Sequence, residues 1–313
     1  MDIILHLGAH RTATTSFQKY MVKNTDENLT AGLAFWGPAQ TRNQLFKGVI
    51  PDAKRKSPLH WILDKKQFGN ARHRIAKRLE QARDMGAAQI VISEENMIGT
   101  SRQNLREARL YGSIHDSMLR YNRAFGGKVT RVVLSVRSLD QYWSSILAYG
   151  VGRGFHLPQA KKLERIVSGH RYWRAVITDL AAAMPDTEVV VYPFEGFIGR
   201  PDAQLTLMTG REDVPRKHTR IWSNSAPALP HLRQVLADRG RHQNKLPDGE
   251  GRWQPFNKDQ ISILRKAYDT DLNWLRAGAD GLARLTEDTR ASEGGETPPP
   301  VSMTRGQNDE LKE

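Results

Sequence analysis

The chain has 313 residues, of which 39% are hydrophobic, enough to bury one large core. It has no cysteine, which excludes disulfides, thiol catalysis and zinc–thiolate sites. Lysine and arginine number 47 against 34 acidic residues, and the net charge of +13 favours an anionic partner or a strongly basic surface. No apolar stretch is long enough to span a membrane or to act as a signal peptide, so we expect a cytoplasmic protein.

The first predicted strand lies almost at the start of the chain and leads into a loop of small residues. Residues 3–7 are apolar, Gly8 ends the run, and residues 9–15 connect it to a helix that opens near Ser16. In a strand–loop–helix unit, free backbone N–H groups and the positive helix end converge on an anion. The pattern therefore predicts a site for a phosphorylated ligand, with an unliganded turn as the alternative.

This loop differs from the P-loop that binds nucleotides. Counted from Gly8, the second glycine position holds Ala13, and the lysine position holds Thr14. The cation comes earlier, at Arg11, and no apolar strand ends in an aspartate suited to magnesium. These departures argue against an ordinary ATPase or GTPase.

Two acids follow a later predicted strand. A second short strand is predicted at 31–37, a helix stops at Gly86, and a third strand at 89–93 runs directly into Glu94 and Glu95. Catalytic groups gather at the carboxyl ends of parallel strands, so these acids are candidate bases, and a solvated pair that caps the next helix is the alternative. Adjacent carboxylates raise each other's pKa, and we expect this effect to move the base toward neutral pH.

A further strand, at 129–136, ends in Arg137, and a capped helix that carries Ser145 follows. A planar, permanently charged guanidinium suits a phosphate dianion, and a hydroxyl on the next helix adds a fixed donor. Taken alone, Arg137 is equally consistent with a surface ion pair.

The remaining chain completes an alternating pattern of strands and helices. A strand is predicted at 187–193, and the sequence from about 197 to 285 is mainly helical. The alternation predicts an α/β fold with a doubly wound parallel sheet, and residues 1–285 form one domain. Residues 286–313 have almost no large apolar side chains, which indicates a disordered tail.

Over roughly residues 1–230, these segments resemble sulfotransferases that use PAPS, 3′-phosphoadenosine 5′-phosphosulfate. The run Arg11–Thr15 is similar to their 5′-phosphosulfate loop, which reads cation, hydroxyl, small residue, Thr, Thr. Arg137 and Ser145, eight positions apart, resemble the pair that holds the 3′-phosphate. Many relatives use a glutamate just after a strand as base; Glu95 aligns best with it, and Glu94 is the fallback.

The resemblance implies a P-loop NTPase-like sheet with helices on both faces and a mainly helical C-terminal part. It also implies in-line transfer of a sulfuryl group from PAPS to a hydroxyl acceptor, without a metal. Glu95 would be the base, and Arg11 would offset charge on the leaving oxygen. Cofactor contacts are implied for Arg11, Thr12, Ala13, Thr14, Thr15, Arg137 and Ser145.

Several positions depart from the family pattern. Ala13 replaces the usual loop glycine, and His10 stands where many relatives have proline. Ser16 stands where a tryptophan often stacks on adenine, so the adenine contact is unassigned. The family closes a late basic loop over the 3′-phosphate, and this chain matches it loosely at Arg216, Lys217 and Arg220.

The partners are less determined than the reaction. The acceptor is expected to be a carbohydrate, a glycolipid or another small alcohol, with an anionic acceptor mildly favoured. No nucleic-acid motif is present, so no specific nucleic acid is expected, while a peripheral membrane contact stays open and the oligomeric state is not predicted. The alternatives are a small-molecule kinase of P-loop type and a catalytically inactive basic module that binds anions.

Overall fold

The computed structural model describes residues 1–50, 58–221, 223 and 225–287. Within them, six parallel strands form one sheet in the order β2-β3-β1-β4-β5-β6. The predicted disordered tail lies almost wholly outside the described residues. The strands are β1 (Asp2–His6), β2 (Leu33–Trp36), β3 (Gln89–Ser93), β4 (Arg131–Val136), β5 (Glu188–Pro193) and β6 (Arg284–Leu285).

Thirteen helices, counted over the same residues, connect and cover the strands, and none of them is long and apolar enough to cross a membrane. A π-helical turn at Thr41–Leu45 and a 3₁₀ turn at Glu95–Ile98 lie near the sheet edge that matters below. The helices are α1 (Thr14–Lys23), α2 (Thr25–Thr30), α3 (Pro38–Gln40), α4 (Pro58–Asp84), α5 (Ser101–Glu107), α6 (Ile114–Ala124), α7 (Leu139–Gly152), α8 (Ala160–Val167), α9 (Trp173–Ala183), α10 (Phe194–Phe197), α11 (Pro201–Thr209), α12 (Leu229–Ala237) and α13 (Lys258–Arg276).

The central strands are apolar throughout because helices cover both faces of the sheet. Successive side chains of a strand point to opposite faces, so Ile3 and Leu5 of β1 enter one core and Ile4 enters the other. The larger core is closed by α4, α6, α7 and α9, and the smaller one by α1 and α11. The predicted fold, a P-loop NTPase-like doubly wound parallel sheet with helices on both faces, is confirmed.

The C-terminal part is mainly helical, as predicted, but its last described segment differs from the expectation. Arg284–Leu285 pairs with β5 as a sixth strand, whereas the sequence predicts no strand after the helical region. A two-residue strand has no periodicity to detect, since its pairing depends entirely on β5 beside it.

The strand order places a crevice at one edge of the sheet. β1 lies between β3 and β4, so the chain moves to one side after β1 and to the other side after β3. In open parallel sheets, ligands bind outside the carboxyl ends of the strands at such a switch point. The loop after β1, the acids after β3 and Arg137 after β4 all lie at this edge.

Candidate active site

A cleft of about 490 Å³ opens at the carboxyl ends of β1, β3 and β4. It is lined by the loop between β1 and α1, by the segment after β3 and by one face of α7. Seven of the residues to which the sequence analysis gave a catalytic or cofactor-binding role line it, whereas Thr12 does not. These residues are Arg11, Ala13, Thr14, Thr15, Glu95, Arg137 and Ser145.

The loop after β1 makes its turn with unusual backbone angles. Gly8 has a φ of +41°, and a Cβ atom there would lie 2.2 Å from Cγ2 of Thr14. Glycine therefore lets the start of α1 pack directly over the end of the strand. Ala13 has φ 58° and ψ 24°, so alanine keeps the left-handed conformation that glycine adopts more easily.

Thr12 braces the loop from inside. Its hydroxyl donates to the Ala9 carbonyl at 2.6 Å, and its N–H donates to the same oxygen at 3.3 Å. The side chain is buried and faces away from the cleft, so the expectation that Thr12 contacts the cofactor is not supported. The N–H groups of Ala13 and Thr14, by contrast, meet no acceptor among the described residues and lie at the positive end of α1.

Two arginines, one partly buried and one buried, meet beneath this helix end. Nε of Arg11 donates to Oγ of Ser145 at 3.0 Å, and Nη1 of Arg137 donates to the Arg11 carbonyl at 2.8 Å. Arg137 is only 8% exposed and lies over the Phe194 ring. Within the described residues, neither guanidinium forms a salt bridge with a carboxylate, which is rare for buried arginine.

A third arginine, Arg252, also lines the cleft. Burial lowers the pKa of Arg11 to about 10, and the charges of Arg137 and Arg252 act in the same direction. Burial likewise lowers the pKa of Arg137; the charge of Glu195 acts against this effect, and that of Arg252 adds to it. The three cations repel one another, and an anion between them would remove that repulsion.

Arg252 lines the cleft, where the sequence predicts a different basic loop. Arg216 is exposed and pairs with Asp202 at 2.8 Å, and Lys217 and Arg220 do not line the cleft. Tyr20 donates to the Pro215 carbonyl at 2.6 Å, which holds that loop on the outer side of α1. The structure therefore gives no contact that supports the expectation for Arg216, Lys217 and Arg220.

The two acids after β3 have different environments. Glu94 is 2% exposed and accepts hydrogen bonds from Nε of Arg42 at 2.9 Å and from the Thr41 hydroxyl at 2.8 Å. It also accepts from the N–H of Asn96 at 3.0 Å and so caps the 3₁₀ turn. Glu94 is a structural carboxylate behind the cleft wall.

Glu95 lines the cleft itself. Oε1 accepts from Nη2 of Arg42 at 3.0 Å, and Oε2 accepts from Nε2 of Gln18 at 3.1 Å. Burial alone would raise the pKa of Glu95, but the neighbouring His10, the charge of Arg42 and the bond from Gln18 outweigh it and lower that pKa. The predicted mutual raising by Glu94 is thus wrong, because Arg42 binds both carboxylates. Glu95 is ionised at neutral pH.

Gln18 connects Glu95 to the core and was not singled out from the sequence. Its Nε2 also contacts Oγ of Ser93 at 3.2 Å, and that hydroxyl lies 2.9 Å from Nδ1 of His6. His6 is buried, and burial lowers its pKa to about 4, so the ring is neutral. An amide at one position of α1 gives no signal in sequence periodicity, and the network exists only because β1, β3 and α1 meet.

His10 fixes the loop to its surroundings. Its N–H and Nδ1 contact the Tyr111 hydroxyl at 2.8 and 3.0 Å, and Nε2 contacts Oδ1 of Asn96 at 3.2 Å. An amide oxygen only accepts, so Nε2 carries the proton, and burial lowers the pKa of His10. Both ring nitrogens are occupied, which leaves no lone pair for proton abstraction.

The far wall of the cleft is basic and aromatic. It is built from the start of α5, from the end of α7 and from the loop that follows α7. Among the residues that the structure describes, no group of three or more His, Asp and Glu side chains is arranged to hold a metal ion. The main residues of this basic and aromatic wall are Arg102, Leu105, Tyr149, Arg153 and Phe155.

Comparison with models of known protein families gives no match, and neither does comparison with curated protein sequences. Among solved structures, a sulfotransferase from Alicyclobacillus acidocaldarius matches with 12% sequence identity and a TM-score of 0.41. The match covers 90% of this chain and 96% of that protein. Similarity at this level establishes no family, so function has to be argued from the site.

Proposed function

We propose that the chain is a sulfotransferase that moves a sulfuryl group from PAPS to a hydroxyl acceptor. The observation that carries this proposal is the pair formed by the partly buried Arg11 and the buried Arg137, neither of which has a salt-bridge partner among the described residues. They lie beneath the open N–H groups of α1, so an anion is the group that suits the space between them.

PAPS carries two anionic groups, the 5′-phosphosulfate and the 3′-phosphate, and the cleft offers hydrogen-bond donors in two places. In this proposal the N–H groups of Ala13 and Thr14, together with Arg11, bind the 5′-phosphosulfate. Arg137, Ser145 and Arg252 bind the 3′-phosphate. Arg252 is added to the residues expected from the sequence because it lines the same cavity and its charge lowers the pKa of both Arg11 and Arg137.

The chemistry assigned to the chain is proton removal and charge stabilisation. Glu95 takes the proton of the acceptor hydroxyl as that oxygen bonds to sulfur, and the bond from sulfur to the bridging phosphate oxygen breaks. Arg11 offsets the charge that grows on the leaving oxygen. A carboxylate with a lowered pKa is already ionised, and Arg42 and Gln18 hold it in one orientation. The acceptor is a carbohydrate, a glycolipid or another small alcohol.

The test is thermal unfolding with matched ligands. Because a ligand that binds the folded state raises the melting temperature, 3′,5′-ADP and PAPS should raise it without magnesium. ATP with magnesium should leave the melting temperature nearly unchanged. Stabilisation by magnesium–ATP alone would overturn the proposal in favour of a kinase. Stabilisation by 3′,5′-ADP without PAPS turnover against any hydroxyl acceptor would indicate an inactive anion-binding module.

A further inference from the structure

The lining of the cleft includes two arginines that the proposed function does not use. Arg102 lies in the first turn of α5, and Arg153 is the C-terminal cap of α7. Both are exposed to the cavity. Among the described residues, neither side chain forms a salt bridge, and the recorded partner of the Arg153 guanidinium is the Tyr149 ring.

The charges that line the cleft are unbalanced. Among the described residues of the lining, Glu95 is the one acid, and it shares the single charge of Arg42 with the buried Glu94. The proposed donor contacts account for three further arginines. Two positive charges are left over on the acceptor side, and like charges facing one cavity are unfavourable unless an anion enters. The lining arginines are Arg11, Arg42, Arg102, Arg137, Arg153 and Arg252.

Tyr149 joins the two halves of the cleft. Ser145, Tyr149 and Arg153 are spaced by four residues, so they lie on one face of α7. The Tyr149 ring contacts the guanidinium of Arg11 at 5.0 Å and that of Arg153 at 5.1 Å, measured to the ring centroid. One aromatic ring therefore separates Arg153 from Arg11, the arginine proposed to act on the leaving oxygen.

The same wall has an apolar component. Phe155 is 39% exposed although it is a large hydrophobic residue, and Leu105 packs beside it into the lining. Aromatic rings with charged groups beside them suit a ligand that has both a ring-shaped body and an ionic substituent. A neutral apolar acceptor would leave Arg102 and Arg153 without an anionic partner, and a small free anion would leave the exposed Phe155 ring unused.

We propose that the acceptor carries an anionic group in addition to its hydroxyl, and that Arg102 and Arg153 bind this group. Its ring-containing body lies against Phe155, so an acidic sugar or an acidic glycoside is the class that fits. The inference rests on the proposed function, because it assumes that the other half of the cleft holds the donor.

The experiment compares two probes that differ only in charge. 4-Nitrophenyl β-D-glucuronide has a carboxylate where 4-nitrophenyl β-D-glucoside has a hydroxymethyl group. Each is titrated calorimetrically into protein saturated with 3′,5′-ADP, using wild type, the double variant Arg102→Ala/Arg153→Ala, and Arg106→Ala. Arg106 lies on α5, is 76% exposed, pairs with Glu107 and does not line the cleft, so it controls for loss of charge.

The glucuronide should bind wild type at least about tenfold more tightly than the glucoside, as expected for a charge-assisted pair. The double variant should lose this preference, Arg106→Ala should keep it, and Arg102→Lys/Arg153→Lys should keep part of it. Equal binding of the two probes, undetectable binding of the glucuronide, or a preference that survives in the double variant would overturn the inference. Binding of 3′,5′-ADP, measured first, tests the proposed function separately, and the double variant should leave it unchanged.

Discussion

At the residue scale, the two adjacent glutamates share a partner and differ in burial. Arg42 binds both carboxylates, but Glu94 is buried, while Glu95 faces the cleft. The sequence predicts only that one of the two acids is functional. The choice depends on Arg42, which comes from a stretch without clear periodicity and was not expected at the site.

Replacement of each glutamate separates the two roles experimentally. Glu95→Gln should lower kcat by about 10²- to 10⁴-fold with little change in the Kd for 3′,5′-ADP, because it removes the proposed base and keeps the shape. Glu94→Gln should instead lower the free energy of unfolding by about 3 kcal/mol, because it leaves Arg42 without its buried partner. Steady-state kinetics and denaturant titration of both variants check this. Full activity in Glu95→Gln would contradict the role given to that residue.

Arg252 provides a second prediction at this scale. Arg252→Ala should weaken 3′,5′-ADP binding by about tenfold and reduce its salt dependence, since one charged contact is lost. Arg216→Ala, which removes an arginine outside the cleft, should have no effect. Equal Kd values for Arg252→Ala and wild type in calorimetry would exclude Arg252 from the anion site.

At the element scale, the junction of β1 and α1 determines the geometry of the site. The glycine at the end of the strand allows the helix to begin where its N–H groups face the cleft, and the threonine inside the loop stiffens the turn. The sequence predicts this junction correctly because strand, small-residue loop and helix follow one another directly. It does not predict that Thr12 points inward, since that depends on the position of a single carbonyl.

A methyl group added at Gly8 tests the importance of this close packing. Gly8→Ala should lower the free energy of unfolding by about 2–4 kcal/mol, because a positive φ is combined with a clash against Thr14. Gly126 also has a positive φ, of +67°, but its added Cβ would meet nothing within 4 Å, so Gly126→Ala should cost only about 1 kcal/mol. Denaturant titration compares the two. Similar losses in both variants would show that packing at the junction is unimportant.

At the scale of the whole molecule, the parallel sheet follows from the sequence pattern, whereas its strand order comes from the structure. Apolar strands separated by helical segments predict a parallel sheet, and the structure agrees. The convergence of Arg252 with Arg11 and Arg137 does not follow from any pattern, because it depends on how a segment after α12 returns across the sheet edge. Local signals therefore predict the strand-end residues of the site, whereas tertiary packing adds Arg42, Arg252 and Gln18.

Stability of the whole fold should depend on the neutral state of His6. Its pKa is about 4 in the folded protein against 6.5 ordinarily, so the unfolded chain binds a proton that the fold does not. Stability present above pH 6.5 is lost as pH falls toward 4, by up to about 3 kcal/mol. Denaturant titrations across this pH range should show that the free energy of unfolding falls less steeply with decreasing pH in His6→Asn than in wild type. Parallel curves would contradict the role of His6.

The most direct measurement of the central claim is calorimetric titration with 3′,5′-ADP and with 5′-ADP, without magnesium. Wild type should bind 3′,5′-ADP about 10- to 100-fold more tightly, because the 3′-phosphate adds charged hydrogen bonds. Arg137→Ala should bind both nucleotides with similar affinity, and Arg216→Ala should behave as wild type. Equal or absent binding of the two nucleotides by wild type would contradict the account of this cleft as a PAPS site.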